Sequence, residues 1–554
     1  MTQTDTATIH PQALSRPARI AWLLLILATL YICYFHNLGA LGLVGPDEPR
    51  YAWIARAMTE SGDWITPRLY GKPWFEKPVL YYWGAATSFK LFGVSEVSAR
   101  LPSAISALLA TLALAWLALR LYGAETARWL LLLLPTTVGM IGFSHAAATD
   151  MPFAATLTIA MVFAARLLGL VPSSAPSNSF TSFTSSTSFT SVLFGFFLGL
   201  AVLAKGPAAI ILSGGAIFIW AIFTKRWREA FRCLHPLAII SFCLTALPWY
   251  ILCARRNPDF FRIFIIEHNF KRYLTPEFQH IQPFWFYVPI LLLAIFPWTV
   301  LLVPSAIRAC SAYKTRRSAS PQAIFFLSWS AFTFLFFTIS RSKLPGYILP
   351  ALPPLLILLT NMVSKIRQEN SKRWLVFVVS AGLVAVGIAF PSVSKRLPTY
   401  TDIQPAPLAT DIALLAVLAG LAIVILGLLR RHRSALIAAV LSVLVLAVGV
   451  DAFLERTDPG LTARATFVHA GKIWPDFRVD RAATWQLRRS LFYQLNFYAH
   501  AELQEWKSGE PKPAWILIEP AFEQQAKALN FSCPQYLVFP AVVACKNTTS
   551  SDQP

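Results

Sequence analysis

The sequence predicts an all-α polytopic membrane protein that ends in a small α/β domain, and three observations carry that expectation. Of its 554 residues, 56% are hydrophobic and only 14% charged, about half the charged share with which a soluble protein covers its surface. The mean hydropathy is +0.54. The apolar residues are gathered into runs of the roughly 20 residues that a helix needs to cross a hydrocarbon core of about 30 Å. Together these exclude a disordered chain, a disulfide scaffold and a cytosolic enzyme.

Candidate spans fall at 18–36, 98–120, 128–144, 151–170, 191–204, 207–223, 235–254, 284–307, 322–339, 345–362, 374–391, 408–429 and 434–453. That makes about 13 transmembrane helices in a domain covering residues 1–453, with the division around Lys205-Gly206-Pro207 the least sharply marked. An odd number places the termini on opposite faces. Arg16 and Arg19 precede the first run in the manner of a signal peptide, but Leu38-Gly39-Ala40 matches a cleavage site poorly, so the run is read as an anchor.

The 48 Lys and Arg against 27 Asp and Glu give a net charge of +21. In a soluble chain this would suggest nucleic acid; here the positive-inside rule accounts for most of it, and no nucleic-acid partner is expected. With the N-terminus cytoplasmic, the inner loops carry Arg120 and Arg128; Lys225, Arg226 and Arg228; Lys314, Arg316 and Arg317; Lys365, Arg367, Lys372 and Arg373; and Arg430, Arg431 and Arg433. Three outward segments hold cations that the rule does not explain: residues 37–97, residues 255–283, and Ser340-Arg341-Ser342-Lys343. Ionisable groups held there against the trend point to function.

Residues 173–191 are rich in Ser, Thr and Phe and read as a flexible cytoplasmic connector. Residues 454–554 carry charges and strand-like runs, Ala514 to Ile518 and Tyr536 to Phe539, and read as an outward, periplasmic α/β domain. An oxidising compartment allows a disulfide between its Cys533 and Cys545. Cys33, Cys233, Cys243, Cys253 and Cys310 lack metal-ligand spacing and read as small buried hydrophobes.

The densest polar cluster is Asp47-Glu48-Pro49-Arg50-Tyr51, followed by Trp74-Phe75-Glu76-Lys77-Pro78 in a loop whose aromatic and apolar faces predict helices lying along the membrane interface. Adjacent carboxylates near a membrane raise one another's pKa or bind a cation, and either suits acid–base work. The plainer reading of Asp47-Glu48, and of Asp150 in Thr149-Asp150-Met151-Pro152, is a helix cap.

These motifs, with Lys343-Leu344-Pro345-Gly346-Tyr347-Ile348-Leu349-Pro350, occur in the order and spacing of one family. The chain resembles the bacterial lipid A aminoarabinose transferases and the related protein O-mannosyltransferases from the first span to about Leu359. The resemblance implies a GT-C-like fold and an integral membrane glycosyltransferase. It also implies a polyprenyl (undecaprenyl) phosphate-linked sugar donor and inverting single displacement at the periplasmic face of the inner membrane. The sugar is aminoarabinose- or hexose-like, and the acceptor lipid A, another glycan or a protein. In the family the first-loop acid lies in the active site; carried over, that is Asp47.

Such chemistry needs a base for the acceptor hydroxyl and cations for the departing phosphate. Asp47 is the preferred base, with Asp150 and Glu48 the other catalytic candidates. Arg50, Lys77, Lys343 and Tyr347 are expected at the donor phosphate, although cations near helix ends also simply snorkel to headgroups. Glu267-His268 followed by Gln279-His280 and Pro283-Phe284-Trp285 also resembles the aminoarabinose transferases. Glu76, His268 and His280 form a candidate three-ligand set for a divalent metal such as Zn, Mg or Mn, with acceptor-binding histidines as the alternative. Lys271 and Arg272 suit an anionic acceptor or membrane lipids. The competing class is a lipid or sugar transporter or flippase. Midplane ionisable groups or duplicated halves would favour that class, but the candidates here sit at outer ends and no long repeat is visible.

Overall fold

The computed structural model describes residues 15–172, 180–271, 281–303, 305–307, 319–366, 374–394, 405–429, 431–534 and 541–548. Helix follows helix through most of the chain, and all thirteen expected spans coincide with helical segments among these residues. Nine are helices long and apolar enough to cross a membrane. Two are pairs of helices bent by 61° and 104°, and two are the shorter apolar helices Ala208–Thr224 and Ser380–Ala389. The 61° bend separates Ala124–Leu133 from Val138–Ser144, where Pro135 removes a backbone donor and Thr137 caps the restart through Met140 N at 3.4 Å.

Four helices place the outward-loop motifs. α1 (Arg16–Tyr34) leads into the first outward loop, which folds into α2 (Asp47–Ser61), a two-stranded hairpin (Arg68–Leu69 with Lys72–Pro73) and α3 (Leu80–Phe92). α2 stops at Gly62, whose left-handed φ of 71° closes the last turn without a Cβ penalty. α4 (Glu96–Tyr122) is capped by Ser95, which accepts from Ser98 N. Farther on, Asp150–Leu167 is the central helix of the bundle, buried along most of its length, whereas α1 is largely exposed along its sides. That exposure suits contact with lipid.

Two sequence expectations are corrected. The connector expected at 173–191 is helical from Phe180 onward, within Phe180–Lys205. Its hydroxyls can satisfy themselves on the helix, as Ser191 does by donating to Thr187 O at 2.9 Å, so a polar composition does not force a loop. Residues 173–179 lie outside the described residues. The boundary expected at 454 is too early, because the last membrane helix runs on from His432 to Leu461.

Beyond it lies the expected α/β unit. A four-stranded sheet has the order β3 (Ala482–Thr484), β4 (Trp515–Ile518), β6 (Val543–Asn547), β5 (Phe531–Ser532), with β3 parallel to β4 and the other pairs antiparallel. The expected run Tyr536 to Phe539 lies outside the described residues. Cys533 and Cys545 are joined by a disulfide, while Cys33, Cys233 and Cys253 are buried free thiols, as expected, and Cys243 is a free thiol only half-buried; Cys310 lies outside the described residues. This unit docks on the first outward loop. Tyr498 Oη donates to Glu96 at 2.9 Å while accepting from Leu43 N at 2.9 Å, and Asp458, in the last turn of the preceding membrane helix, accepts from Gly42 N at 2.6 Å. Asn496 donates to Tyr70 Oη at 3.0 Å. The C-terminal unit and the acid-rich loop therefore share one side of the helical bundle.

Candidate active site

Asp47 and Glu48 occupy the first turn of α2, where a helix dipole favours negative charge. Neither acts as a side-chain cap, since Pro46 holds the N-cap position without one. The two adjacent carboxylates have opposite environments. Glu48 is 5% exposed and takes every donor around it: Val44 N and Ala147 N at 2.7 Å each, Arg100 Nη2 at 2.7 Å and Arg100 Nε at 3.3 Å. Arg100 completes the knot by donating to Leu38 O, Leu41 O and Gly42 O. With its lone pairs spent, Glu48 is a structural ligand for three chain segments. Its expected place among the catalytic candidates is not supported by this geometry.

Asp47 is the accessible member. Its side chain is 45% exposed and pairs with Arg50. Arg50 itself is buried, donates to Pro46 O at 2.8 Å and to Glu76 at 3.0 Å, and lies against the rings of Tyr51 and Trp74. Burial opposes its charge, but Glu76, Tyr51 and Asp47 outweigh that and push its pKa upward. Arg50, expected at the donor phosphate, is thus committed to two carboxylates and positions them. Lys77 lies 3.6 Å from Glu76. Burial, with Glu76 nearby, pushes the Tyr51 and Tyr82 phenols up, so both are neutral at physiological pH.

Asp150 opens its helix within three residues of Ala147, so the Glu48 contact holds the Asp150 turn against the Asp47 turn. Lys205 reaches Asp150 Oδ1 at 2.5 Å and stands 4.4 Å from the centre of the Tyr347 ring. Asp150 is 20% exposed, less than half as open as Asp47, and its carboxylate is paired with that ammonium. Gly346 permits this approach, since a Cβ there would come within 2.5 Å of Asp150 Oδ1. Lys205 went unremarked as a site residue in the sequence. The signal was present: a single cation in a turn that the span count places outside.

Lys343 is 7% exposed, and its ammonium donates to Ser340 O at 2.6 Å and Gln282 O at 3.4 Å. No carboxylate pairs with it among the described residues. Burial, and then the like charge of Arg341, lower its pKa. Four buried polar atoms without a partner among the described residues flank these motifs: Trp74 Nε1, Tyr82 Oη, Thr149 Oγ1 and Ser342 Oγ. An unmet buried donor costs about 1–3 kcal/mol, so each of these groups is one that an incoming polar atom would satisfy; others, such as Trp329 Nε1 and Thr466 Oγ1, lie outside the motifs.

Glu267 pairs with Arg262 at 2.6 Å in the helical segment Arg262–Lys271, which also carries His268. His280 and Arg272 lie outside the described residues. Among the described residues, no three His, Cys, Asp or Glu side chains converge to hold a metal ion. Glu76, the carboxylate of the expected set, is engaged by Arg50 and Lys77.

Glu48→Ala would leave Arg100 buried without its counter-charge, and we expect a stability loss of about 3–5 kcal/mol. Thermal unfolding in detergent would show it as an early melt. A variant that melts like the native protein yet fails in catalysis would return Glu48 to the catalytic group.

The family model for dolichyl-phosphate-mannose-protein mannosyltransferase matches residues 20–264. The undecaprenyl phosphate-alpha-4-amino-4-deoxy-L-arabinose arabinosyl transferase of Edwardsiella ictaluri is 35% identical over 348 residues, 62% of this chain and 60% of that protein. Its namesake from Erwinia tasmaniensis is 31% identical over 501 residues, 88% of this chain and 87% of its own. Among solved structures, ArnT from Cupriavidus metallidurans bound to undecaprenyl phosphate superposes with a TM-score of 0.75 at 23% identity, covering 96% of this chain and 99% of that one. The last likeness bears out the expected GT-C fold. With sequence identity sustained along nearly the whole Erwinia protein, this multi-pass membrane glycosyltransferase belongs to the undecaprenyl phosphate-alpha-4-amino-4-deoxy-L-arabinose arabinosyl transferase family.

Proposed function

We propose that the chain moves 4-amino-4-deoxy-L-arabinose from undecaprenyl phosphate to a hydroxyl of lipid A or another membrane glycan. The reaction takes place at the periplasmic face of the inner membrane, with the N-terminus cytoplasmic and the C-terminus periplasmic. The observation that carries this reading is Lys343. A buried ammonium that, among the described residues, is held by backbone carbonyls alone is costly unless an anion joins it, and a lipid phosphate entering beside Leu344 and Tyr347 is such an anion. The donor named for the Edwardsiella and Erwinia relatives supplies one.

In this mechanism Asp47 accepts the proton of the acceptor hydroxyl as that oxygen attacks the anomeric carbon. The bond from that carbon to the phosphate oxygen breaks, and the electron pair leaves with undecaprenyl phosphate. A single displacement inverts the carbon. Lys343, Lys77 and Lys205 take up the charge developing on the phosphate, in a partly desolvated place where charge-assisted hydrogen bonds are strong. Tyr347 lies under Lys205 and steers it. Arg50 holds Asp47 and Glu76 in register.

With a purified protein, undecaprenyl phosphate-linked aminoarabinose and lipid A, Asp47→Asn should cut turnover by about 10²–10⁴-fold, the usual worth of a general base, while donor binding persists. Retained turnover would remove Asp47 from that role.

Lys343→Ala should weaken donor affinity roughly 10- to 100-fold, as expected for a lost hydrogen bond to a charged group; unchanged affinity would refute the phosphate contact. Because the pKa of Lys343 is lowered, its charge is present at low pH and is lost as pH rises through a value below lysine's ordinary 10.5. Donor affinity of the native enzyme should therefore fall on the alkaline side earlier than that of Lys343→Arg.

A divalent ion at Glu76, His268 and His280 is a separate proposal. It predicts that dialysis against a chelator abolishes transfer and that added Zn, Mg or Mn restores it. Undiminished activity with no metal found by elemental analysis would dispose of it.

A further inference from the structure

The guanidinium of Arg50 is enclosed by three rings, and one comes from the C-terminal unit: Tyr493 stands 5.3 Å from Arg50 Cζ. Tyr493 lies on the helix Arg489–Ala499, the element that docks on α2. Three neighbouring contacts fix it there. Tyr70, in the turn of the first-loop hairpin, stacks on Tyr493 at 6.4 Å with the planes 21° apart, and Asn496, one turn farther along the helix, donates to Tyr70 Oη. Arg56 of α2 reaches Phe497 O at 3.3 Å on the same helix.

We propose that Tyr493 is a positioning residue for the transfer site: its ring, delivered by the C-terminal unit, holds Arg50 against Asp47 and Glu76. The inference rests on the proposed base role of Asp47. A guanidinium attracted to a ring face loses water and so binds its carboxylates in a medium of lower dielectric. Without the ring, water reaches Arg50, and the Asp47 carboxylate loses the partner that fixes its direction. The contribution comes from the π face, so the phenolic hydroxyl is dispensable. The C-terminal unit thereby completes the catalytic centre without placing a group on the reacting atoms.

The test compares Tyr493→Phe, which keeps the ring, with Tyr493→Leu, which keeps apolar volume but has no π face. Both are made in the full-length protein with undecaprenyl phosphate-linked aminoarabinose as donor. We expect Tyr493→Leu to lower kcat roughly ten-fold, the scale of one desolvated cation–π contact, with the donor KM unchanged. Tyr493→Phe should stay near the native rate. A second readout does not depend on activity: modification of Arg50 by an arginine-directed dicarbonyl, read by peptide mass spectrometry. Arg50 should be protected in the native and Phe proteins and labelled in the Leu protein. Equal kcat in all three, equal damage by Phe and Leu, or equal labelling would overturn the inference. If the native protein transfers nothing from this donor, the functional reading fails, and the labelling pattern still decides whether Tyr493 shields Arg50.

Discussion

The buried pair of Glu48 and Arg100 is the constraint on which the outward face of this protein depends. Four donors converge on one carboxylate, and the guanidinium that supplies two of them also closes three backbone carbonyls of the first loop. Burying two charges is expensive, and the arrangement is tolerable because every lone pair and nearly every proton is matched. The contact fixes relative position. It seats the start of α2 on the first turns of α4 and on the turn that opens the Asp150 helix. Asp47, one residue from Glu48, is left half-exposed at the open edge of this knot.

Around that knot the cations divide their work by the anions they already hold. Arg50 is surrounded by carboxylates and aromatic rings, so it orders the acid side of the site. Lys205 is shared between Asp150 and the Tyr347 ring. Among the described residues Lys343 is met by carbonyl oxygens alone, and its charge is there the least compensated of the three. A graded set of this kind suits a reaction in which a neutral hydroxyl loses a proton at one end while a lipid phosphate gains charge at the other. In the proposed reading the net charge of +21 contains two populations: cations of the short loops, which the positive-inside rule assigns to the cytoplasm, and a few outward cations assigned to the transfer site.

Much of the architecture was legible in the sequence because its physics is local. A span announces itself by a continuous apolar run, and the motifs around Asp47, Glu76, Asp150 and Lys343 stand out because charge is rare beside such runs. Most of the misses have non-local causes. Arg100 lies early in α4, and its partner is 52 residues earlier in the chain, so nothing in its neighbourhood separates a structural carboxylate from a catalytic one at Glu48. Lys205 was visible only as an interruption between two apolar runs, and its role depends on Asp150 arriving from another helix. The stretch from Phe180 to Ser191 was read as a connector from composition, yet hydroxyl side chains bond back to the helix they sit on. The approach of Tyr493 to Arg50 joins residues at opposite ends of the chain, and no spacing rule reaches across that separation.

If these residues serve transfer of an aminoarabinose unit from a lipid phosphate to an envelope acceptor, mass spectrometry of lipid A, glycans and envelope proteins from cells with and without the protein will show it. Cells lacking the protein should lose one aminopentose mass from the lipid A or glycan fraction, with the other fractions unchanged. Identical spectra in all fractions, or loss of a different sugar, would contradict it.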